Sequence, residues 1–350
     1  MLDDFKLVPK KWQVHLIDEI AIRGSGHTPD RKIPEYWNGG IKWVSLADSD
    51  KLDRKFINST THEISQTGIE NSSAEIHPPD SVLISRDAGV GKSAVMACEM
   101  AVSQHFIVWR CGSKLVPLFL YYTLQSQKAF FERIAVGSTI KTIGLGIFRR
   151  LKMLVPPLHE QQKIADILAT WDEALEKLDA LIIAEGRRKQ ALMQQIITGH
   201  CRLPGFRKPW RRVELSEVAE ECSIRNGLKL DRTRLYAVTK AEGMVPMREN
   251  VQGATINRCQ IVERGWFAYN PMRINIGSIA RWENDEPVMV SPDYVVFRTK
   301  ESLLLSDYLN HIRRAVIWSD FVGAAGNGSV RIRIWFDDLG YFKFPLPPIE

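Results

Sequence analysis

Residues 156–199 have the sequence PPLHEQQKIADILATWDEALEKLDALIIAEGRRKQALMQQIITG, and this stretch decides the fold. The proline pair blocks any helix from extending upstream, because proline lacks an amide donor and restricts the residue before it. Large apolar residues then recur at alternating steps of three and four, the spacing of a narrow coiled-coil seam. The seam residues are Ile164, Leu168, Trp171, Leu175, Leu178, Ile182, Leu192 and Ile196. Gly199 provides a stop, so the pattern predicts one helix over 158–199, about 60 Å long.

A narrow apolar seam on an otherwise polar helix needs a partner surface. Packing on the chain's own domains would cover the seam at one end of the helix, but not along the whole helix. We therefore expect the seam to form a helix–helix or subunit interface. Pairing with the same helix of a second copy is one way to bury it.

The chain repeats itself on either side of this helix. Gly-Ser elements at residues 137–139 and 328–330 each begin nineteen residues before a Pro-Pro pair, at 156–157 and 347–348. Upstream, Val14-x-Leu16 is echoed by Val213-x-Leu215. Two variants of one module, joined by a rigid spacer, indicate two similar tasks performed at a fixed distance.

Each module is predicted to mix helices and strands, which makes the fold class α+β. Short segments rich in β-branched and aromatic residues predict strands. They are 42–46, 81–85 and 106–109 in the first module, and 265–269, 287–290 and 294–297 in the second. Helical stretches follow at 117–135 and 306–322. The predicted domains are 1–157, the helix 158–199, a linker 200–208 and a second domain 209–350.

The composition is that of a cytoplasmic protein. No apolar run approaches the length of a membrane span, and the first residues lack the pattern of a signal peptide. The five cysteines are scattered without a CxxC pair, as expected for free thiols in a reducing compartment.

The charge distribution is compatible with nucleic-acid binding but does not demand it. Residues 1–157 carry 20 basic and 16 acidic side chains (+4), and residues 200–350 carry 22 and 18 (+4). The helical spacer carries 5 and 7 (−2). Both lobes are therefore basic, as phosphate binding requires, although a charge of this size is also ordinary for a lobe of this length.

Catalytic and cofactor motifs are incomplete. Residues 87–93, DAGVGKS, look like a phosphate-binding loop, but Arg86 stands where the Walker pattern needs its first glycine. The histidines lack metal-ligand spacing, so no metal and no cofactor are expected. A divergent P-loop nucleotide hydrolase using residues 91–93 remains the alternative enzyme hypothesis.

Candidate DNA contacts are basic and small polar residues that recur at matching places in the two modules. Such groups bind phosphates and base edges. The candidates are Arg86, Lys92, Ser138, Thr139, Lys141, Thr142, Arg273, Asn275, Ser329, Arg331 and Arg333. The alternative for the Gly-Ser elements is that they merely end a helix.

These stretches resemble one known family. PPLHEQQKIADIL at 156–168 and RRKQALMQQIITG at 187–199 are similar to the two ends of the central conserved region of type I restriction–modification specificity subunits. Thr28-Pro29, with PEYW at 34–37 and IKWV at 41–44, resembles the opening of their target recognition domains. LISRDAGVGK at 83–92 resembles the middle of that domain, which explains the partial Walker match.

The resemblance implies a non-catalytic subunit. Two recognition domains would each bind one half of a bipartite site on double-stranded DNA. The helix would set their spacing and dock two methyltransferase subunits, and a restriction and translocase subunit would join for cleavage. A coiled-coil adaptor with two protein-binding lobes remains the alternative outside DNA recognition.

Two features depart from the family pattern. The second domain has Arg225-Asn226-Gly227-Leu228 in place of the Thr-Pro opening. In the family, a second conserved helix follows the second Pro-Pro pair, whereas this sequence stops at Glu350. We therefore expect a specificity subunit without that second helix.

Overall fold

The computed structural model describes residues 9–248, 255–324 and 333–349. The chain divides into two compact units, Met1–Leu181 (unit 1) and Ile182–Glu350 (unit 2). The division falls inside the long helix, so each unit includes one part of it. The start of the helix packs on the core of unit 1 through Ile164 and Ala165, and its end packs on the core of unit 2 through Met193 and Ile197.

Unit 1 is a mixed α and β structure. Its strands are β1 (Gln13–Leu16), β2 (Ala21–Ser25), β3 (Trp37–Val44), β4 (Phe56–Ile57), β5 (His62–Ile64), β6 (Ile76–His77), β7 (Val82–Ser85), β8 (Ser93–Met96), β9 (Met100–Val102), β10 (Phe106–Cys111) and β11 (Lys152–Val155). Its helices are α1 (Ile17–Ile20), α2 (Gln66–Glu70), α3 (Pro117–Ser126), α4 (Lys128–Ile134), α5 (Leu145–Arg149) and the first part of α6 (Leu158–Ile197).

Unit 2 contains the remaining elements. Its strands are β12 (Arg211–Glu214), β13 (Ala219–Glu221), β14 (Tyr236–Thr239), β15 (Gly243–Pro246), β16 (Gln260–Val262), β17 (Phe267–Tyr269), β18 (Ile279–Arg281), β19 (Val288–Val290), β20 (Val295–Thr299) and β21 (Lys343–Leu346). Its helices, besides the end of α6, are α7 (Leu215–Val218), α8 (Ser306–Ile312), α9 (Val316–Ala324) and α10 (Phe336–Gly340).

The sheet topology confirms the internal repeat. In unit 1 the central sheet has the order β2-β10-β7-β8-β4, and in unit 2 it has the order β13-β20-β17-β18. The first and last strands of each unit form a separate antiparallel ladder, with Gln13 opposite Val155 and Arg211 opposite Leu346. Strand β7 therefore corresponds to β17, and β10 to β20. Unit 1 adds a second sheet, β5-β3-β9-β6, which the repeat did not predict.

The predicted helical stretches are present, but each is divided in two. The first breaks at Gln127, between α3 and α4, and the second breaks between α8 and α9. Their apolar faces lie against the central sheets, with Leu120 and Phe131 buried in unit 1 and Leu309 and Trp318 buried in unit 2. The sequence predicted one helical stretch at each place and did not reveal the break.

Both ends of α6 are anchored. At its start, the buried amide of Gln161 donates to the carbonyls of Lys114 (3.0 Å) and Pro156 (2.8 Å) and accepts from the Val116 amide (2.9 Å). At its end, Gly199 adopts φ +78°, a left-handed conformation that stops a helix without steric cost. The predicted helix is confirmed, with its last residue two positions before the predicted end.

Candidate nucleic-acid interface

In unit 1 the structure brings the loop 86–92 and the Gly-Ser turn together. The Ala88 amide donates to the Lys141 carbonyl (3.3 Å), and the Ile143 amide donates to the Arg86 carbonyl (2.9 Å). The Arg86 Nε in turn donates to the Ile143 carbonyl at 3.1 Å. Two segments that are distant in sequence thus form one surface. Arg86 is half-buried there and holds the two segments together.

The Gly-Ser turn is a small hairpin of its own. Val136 and Thr142 exchange two backbone hydrogen bonds (3.0 and 2.9 Å) after helix α4 has already ended at Ile134. Gly137 has φ +130°, and a Cβ there would lie 2.2 Å from the Ile140 carbonyl oxygen, so glycine is required. The hairpin leaves Ser138, Thr139 and Lys141 exposed. The turn therefore does more than end a helix.

A basic cleft of about 440 Å³ lies between these two segments and helix α4. Lys92 lines it but donates to the Ser49 carbonyl at 2.8 Å, and Lys128 pairs with Asp53. Among the described residues, the Lys141 ammonium has no hydrogen bond or ion pair. Lys141 is thus the cation in this cleft best placed to meet an external phosphate.

Unit 2 places an equivalent loop at residues 271–277. Arg273 and Asn275 are exposed beside a short 3₁₀ turn, and Gly277 closes the loop with φ +97°. The Ile334 amide donates to the Pro271 carbonyl (3.0 Å), as Ile143 does to Arg86 in unit 1. This bond sets the exposed Arg333 next to the loop. Ser329 and Arg331 lie outside the described residues.

The cleft beside this second loop is also basic, and it measures about 620 Å³. Its charged lining consists of four basic and two acidic residues: Lys240, Arg281, Arg313, Arg314, Glu242 and Glu283. Burial lowers the pKa of the Arg313 guanidinium to about 10, and the neighbouring Arg314 contributes in the same direction. The Arg313 guanidinium donates to Asn310 Oδ1 (2.8 Å) and to the Ile279 carbonyl (3.2 Å), which hold it at the edge of the cleft.

Sequence reasoning missed five of the basic residues that line the two clefts: Lys128, Lys240, Arg281, Arg313 and Arg314. Lys128 and the Arg313–Arg314 pair lie where the two helices of each helical stretch meet, a break that the sequence pattern did not show. The adjacent Arg-Arg pair was the one local signal available. In both units the loop after the matching strand, β7 or β17, and the break in the helical stretch line the cleft, and in unit 2 the hairpin of β14 and β15 lines it as well.

The loop 87–93 is not a Walker loop. A Walker loop leads into a helix whose N-terminus faces the phosphates. Here the loop leads into strand β8, and the Lys92 ammonium is bonded to a backbone carbonyl. The nucleotide-hydrolase alternative therefore has no structural support. Across the described ranges no cluster of three His, Cys, Asp or Glu residues could hold a metal ion.

Seven of the eight predicted seam residues are exposed along α6, with exposed fractions from 38% to 69%. They are Leu168, Trp171, Leu175, Leu178, Ile182, Leu192 and Ile196. Ile164 is the exception, because it packs against the core of unit 1. None of the described helices, α6 included, is long and apolar enough to cross a membrane.

Comparison with known proteins decides the family. The model of the type I restriction modification DNA specificity domain matches residues 9–183, half of the chain. The chain belongs to this family. The MjaIX specificity subunit of Methanocaldococcus jannaschii is 28% identical over 177 residues, which are 49% of this chain and 40% of that protein. Across three such curated specificity subunits, the chain spans 40 to 48% of their length.

Solved specificity subunits share the fold. The HsdS subunit of Thermoanaerobacter tengcongensis superimposes with a TM-score of 0.54 at 16% identity, over 99% of this chain and 88% of that one. A chain from a solved type I restriction–modification system gives a TM-score of 0.63 at 15% identity, over 98% and 87%. At these identities the similarity concerns the fold, and it confirms two α+β units with a long central helix.

Proposed function

We propose that this specificity-family chain is the non-catalytic DNA-recognition subunit of a type I restriction–modification complex in the cytoplasm. Each unit contacts one half of a bipartite site on double-stranded DNA. Helix α6 sets the spacing and docks methyltransferase subunits, and a restriction and translocase subunit joins for cleavage. The observation that carries the proposal is the repeated surface, in which a basic cleft lies beside a short loop in both units.

The division of labour within each unit follows from the chemistry of that surface. Phosphate contacts position a protein on DNA, whereas base-edge contacts specify the sequence. Lys141 in unit 1, with Arg333 and Arg314 in unit 2, are exposed cations suited to phosphates. Arg273 and Asn275 stand on a protruding loop and have the donors and acceptors that base edges require.

The phosphate assignment predicts the salt dependence of binding. Lys141→Ala and Arg333→Ala should each weaken binding to all DNA sequences alike and lower the salt slope by about one. The measurement is the dissociation constant of duplex DNA over a series of salt concentrations. Lys177→Ala, an exposed lysine on α6, is the control for charge removal alone. Unchanged affinity and slope in both variants would contradict the assignment.

The spacing role of α6 predicts the effect of lengthening it. Four residues inserted after Ala180 add about 6 Å, or roughly two base pairs at about 3.4 Å each. Four residues exceed one turn by only about 40°, so the apolar seam stays nearly continuous. We expect the gap between the half-sites to lengthen by one or two base pairs, as read by sequencing methylated sites. An active variant with an unaltered gap would show that the helix does not set the spacing.

A further inference from the structure

A second recess in unit 1 borders the loop 86–92 and has a different character from the basic cleft. It measures about 320 Å³ and is lined by Thr28, Arg31, His62, Gln104 and His105, among others. These side chains carry hydrogen-bond donors and acceptors of the kinds that contact base edges. None of them was singled out as a DNA contact by sequence pattern.

Four side chains form a directional hydrogen-bond chain along this recess. The Thr28 hydroxyl donates to Gln104 Oε1 (2.6 Å), and Gln104 Nε2 lies 3.4 Å from His105 Nε2. His105 Nδ1 lies 2.8 Å from Asp87 Oδ2. A carboxylate only accepts, so His105 Nδ1 donates to Asp87. The Gln104 amide is thus tied to Thr28 through Oε1 and to His105 through Nε2.

The segment that carries Thr28 is itself held in place. The Trp43 indole donates to the His27 carbonyl (3.1 Å), and the Trp37 indole donates to the Asp30 carbonyl (3.2 Å). A Cβ at Gly26 would lie 1.6 Å from a carbonyl oxygen of strand β9, so the segment presses directly on that strand. Such anchoring lowers the entropic cost of ordering these groups when a ligand binds.

The hydrogen bonds within the chain leave Gln104 with a defined pair of free groups. Its Oε1 retains one lone pair, and its Nε2 retains one N–H. Adenine presents the complementary pair in the major groove, an N6 donor beside an N7 acceptor, whereas guanine presents two acceptors. The exposed Gln104 amide thus matches adenine.

We propose that Gln104 recognises an adenine in the half-site bound by unit 1, with Thr28 and His105 as positioning residues. This inference rests on the proposed function of the chain. It also predicts that the two units recognise different bases. In unit 2, Asn226 replaces Thr28, and its buried side chain bonds to both backbone groups of Leu230 (2.8 and 3.0 Å). Asp293 and Tyr294 precede β20, where Gln104 and His105 precede β10.

The test is selection of binding sites from a random duplex DNA library by the full chain at low salt. The wild type is expected to enrich a bipartite sequence with an adenine at one position of one half. Gln104→Ala should lower the preference at that position by about 5- to 150-fold, the range for one bidentate base contact. All other positions should keep their preference. Gln66→Ala, an exposed glutamine on α2, is the matched control and should enrich the wild-type sequence.

The positioning role has its own variants. Thr28→Val removes the hydroxyl donor and should weaken the preference for adenine at the same position. Thr28→Ser keeps the hydroxyl and should keep that preference. A merely structural role of Thr28 would not separate the two variants in this way. If Gln104→Ala enriches the wild-type sequence while Lys141→Ala still loses affinity, the adenine contact is wrong and the proposed function stands. If the wild-type chain enriches no sequence, both proposals fail.

Discussion

Replacing residues 11–157 with the matching domain of another specificity subunit is expected to change one half of the recognised DNA sequence and leave the other half intact. The physical reason is that the first and last strands of unit 1 pair with each other. Strands β1 and β11 pair from Gln13 opposite Val155 to Leu16 opposite Lys152, so the replacement exchanges both strands of the ladder together. Each unit also has its own central sheet and its own buried core.

Sequencing of methylated sites in cells that carry the chimera would measure this outcome. The control is the reciprocal replacement of residues 209–348, which should change the other half only. In the chimera, the backbone at positions 114 and 116 must still reach the Gln161 side chain, because these hydrogen bonds anchor the start of α6. A change in both halves from a single replacement would show that the units do not act independently.

Substituting glutamate at both Leu175 and Leu178 is expected to abolish self-association through the α6 seam. These side chains are more than half exposed in the single chain. Full burial of a leucine contributes about 1.5 to 3 kcal/mol, and a pair of copies loses four leucines. Because a little more than half of each side chain is exposed, the loss is about 3 to 6 kcal/mol, or about two to four powers of ten in association. The added carboxylates raise the cost further, because a buried charge without a partner is unfavourable. Light scattering over a concentration series measures the change.

The matched control is the pair Lys177→Glu and Ala180→Glu, two exposed positions of the same helix that lie off the seam. This pair adds the same number of carboxylates and should leave association intact. Each unit should stay folded in both variants, since Ile164, Ala165 and Ile197 still pack on the cores. A wild-type monomer that binds no hydrophobic dye would mean that the seam is covered within the chain. Loss of methyltransferase docking with unchanged self-association would assign the seam to that subunit instead.

The long helix and the repeat were predictable from sequence because their signals are local or periodic. Proline blocks a helix wherever it stands, and an apolar seam requires only that the residues be spaced by helical turns. The repeated Gly-Ser and Pro-Pro elements needed only a comparison of the chain with itself. The left-handed conformation of Gly199 is predictable in the same way, because glycine at a helix end adopts it without strain.

The candidate site was only partly predictable. Lys141, Arg273 and Asn275 were expected, and each is exposed on a loop or turn of its unit. Lys128 and Arg314 were not expected, and they reach the clefts from the breaks in the two helical stretches. The partial Walker match is resolved by the element after the loop, since residues 93–96 form a strand where a nucleotide-binding loop would lead into a helix.

The sequence by itself determined that this chain is two related α+β units on a long helix with an apolar seam. Only the tertiary structure decided which polar side chains are available to a partner. In the sequence, Arg86, Lys92 and Lys141 are equal candidates for a DNA contact. In the structure, Arg86 and Lys92 donate to backbone carbonyls of other segments, while Lys141 is exposed. The reason is physical: helix and turn propensities act within a few residues, whereas the hydrogen-bond partner of a side chain is set by segments that folding brings together from dozens of residues away.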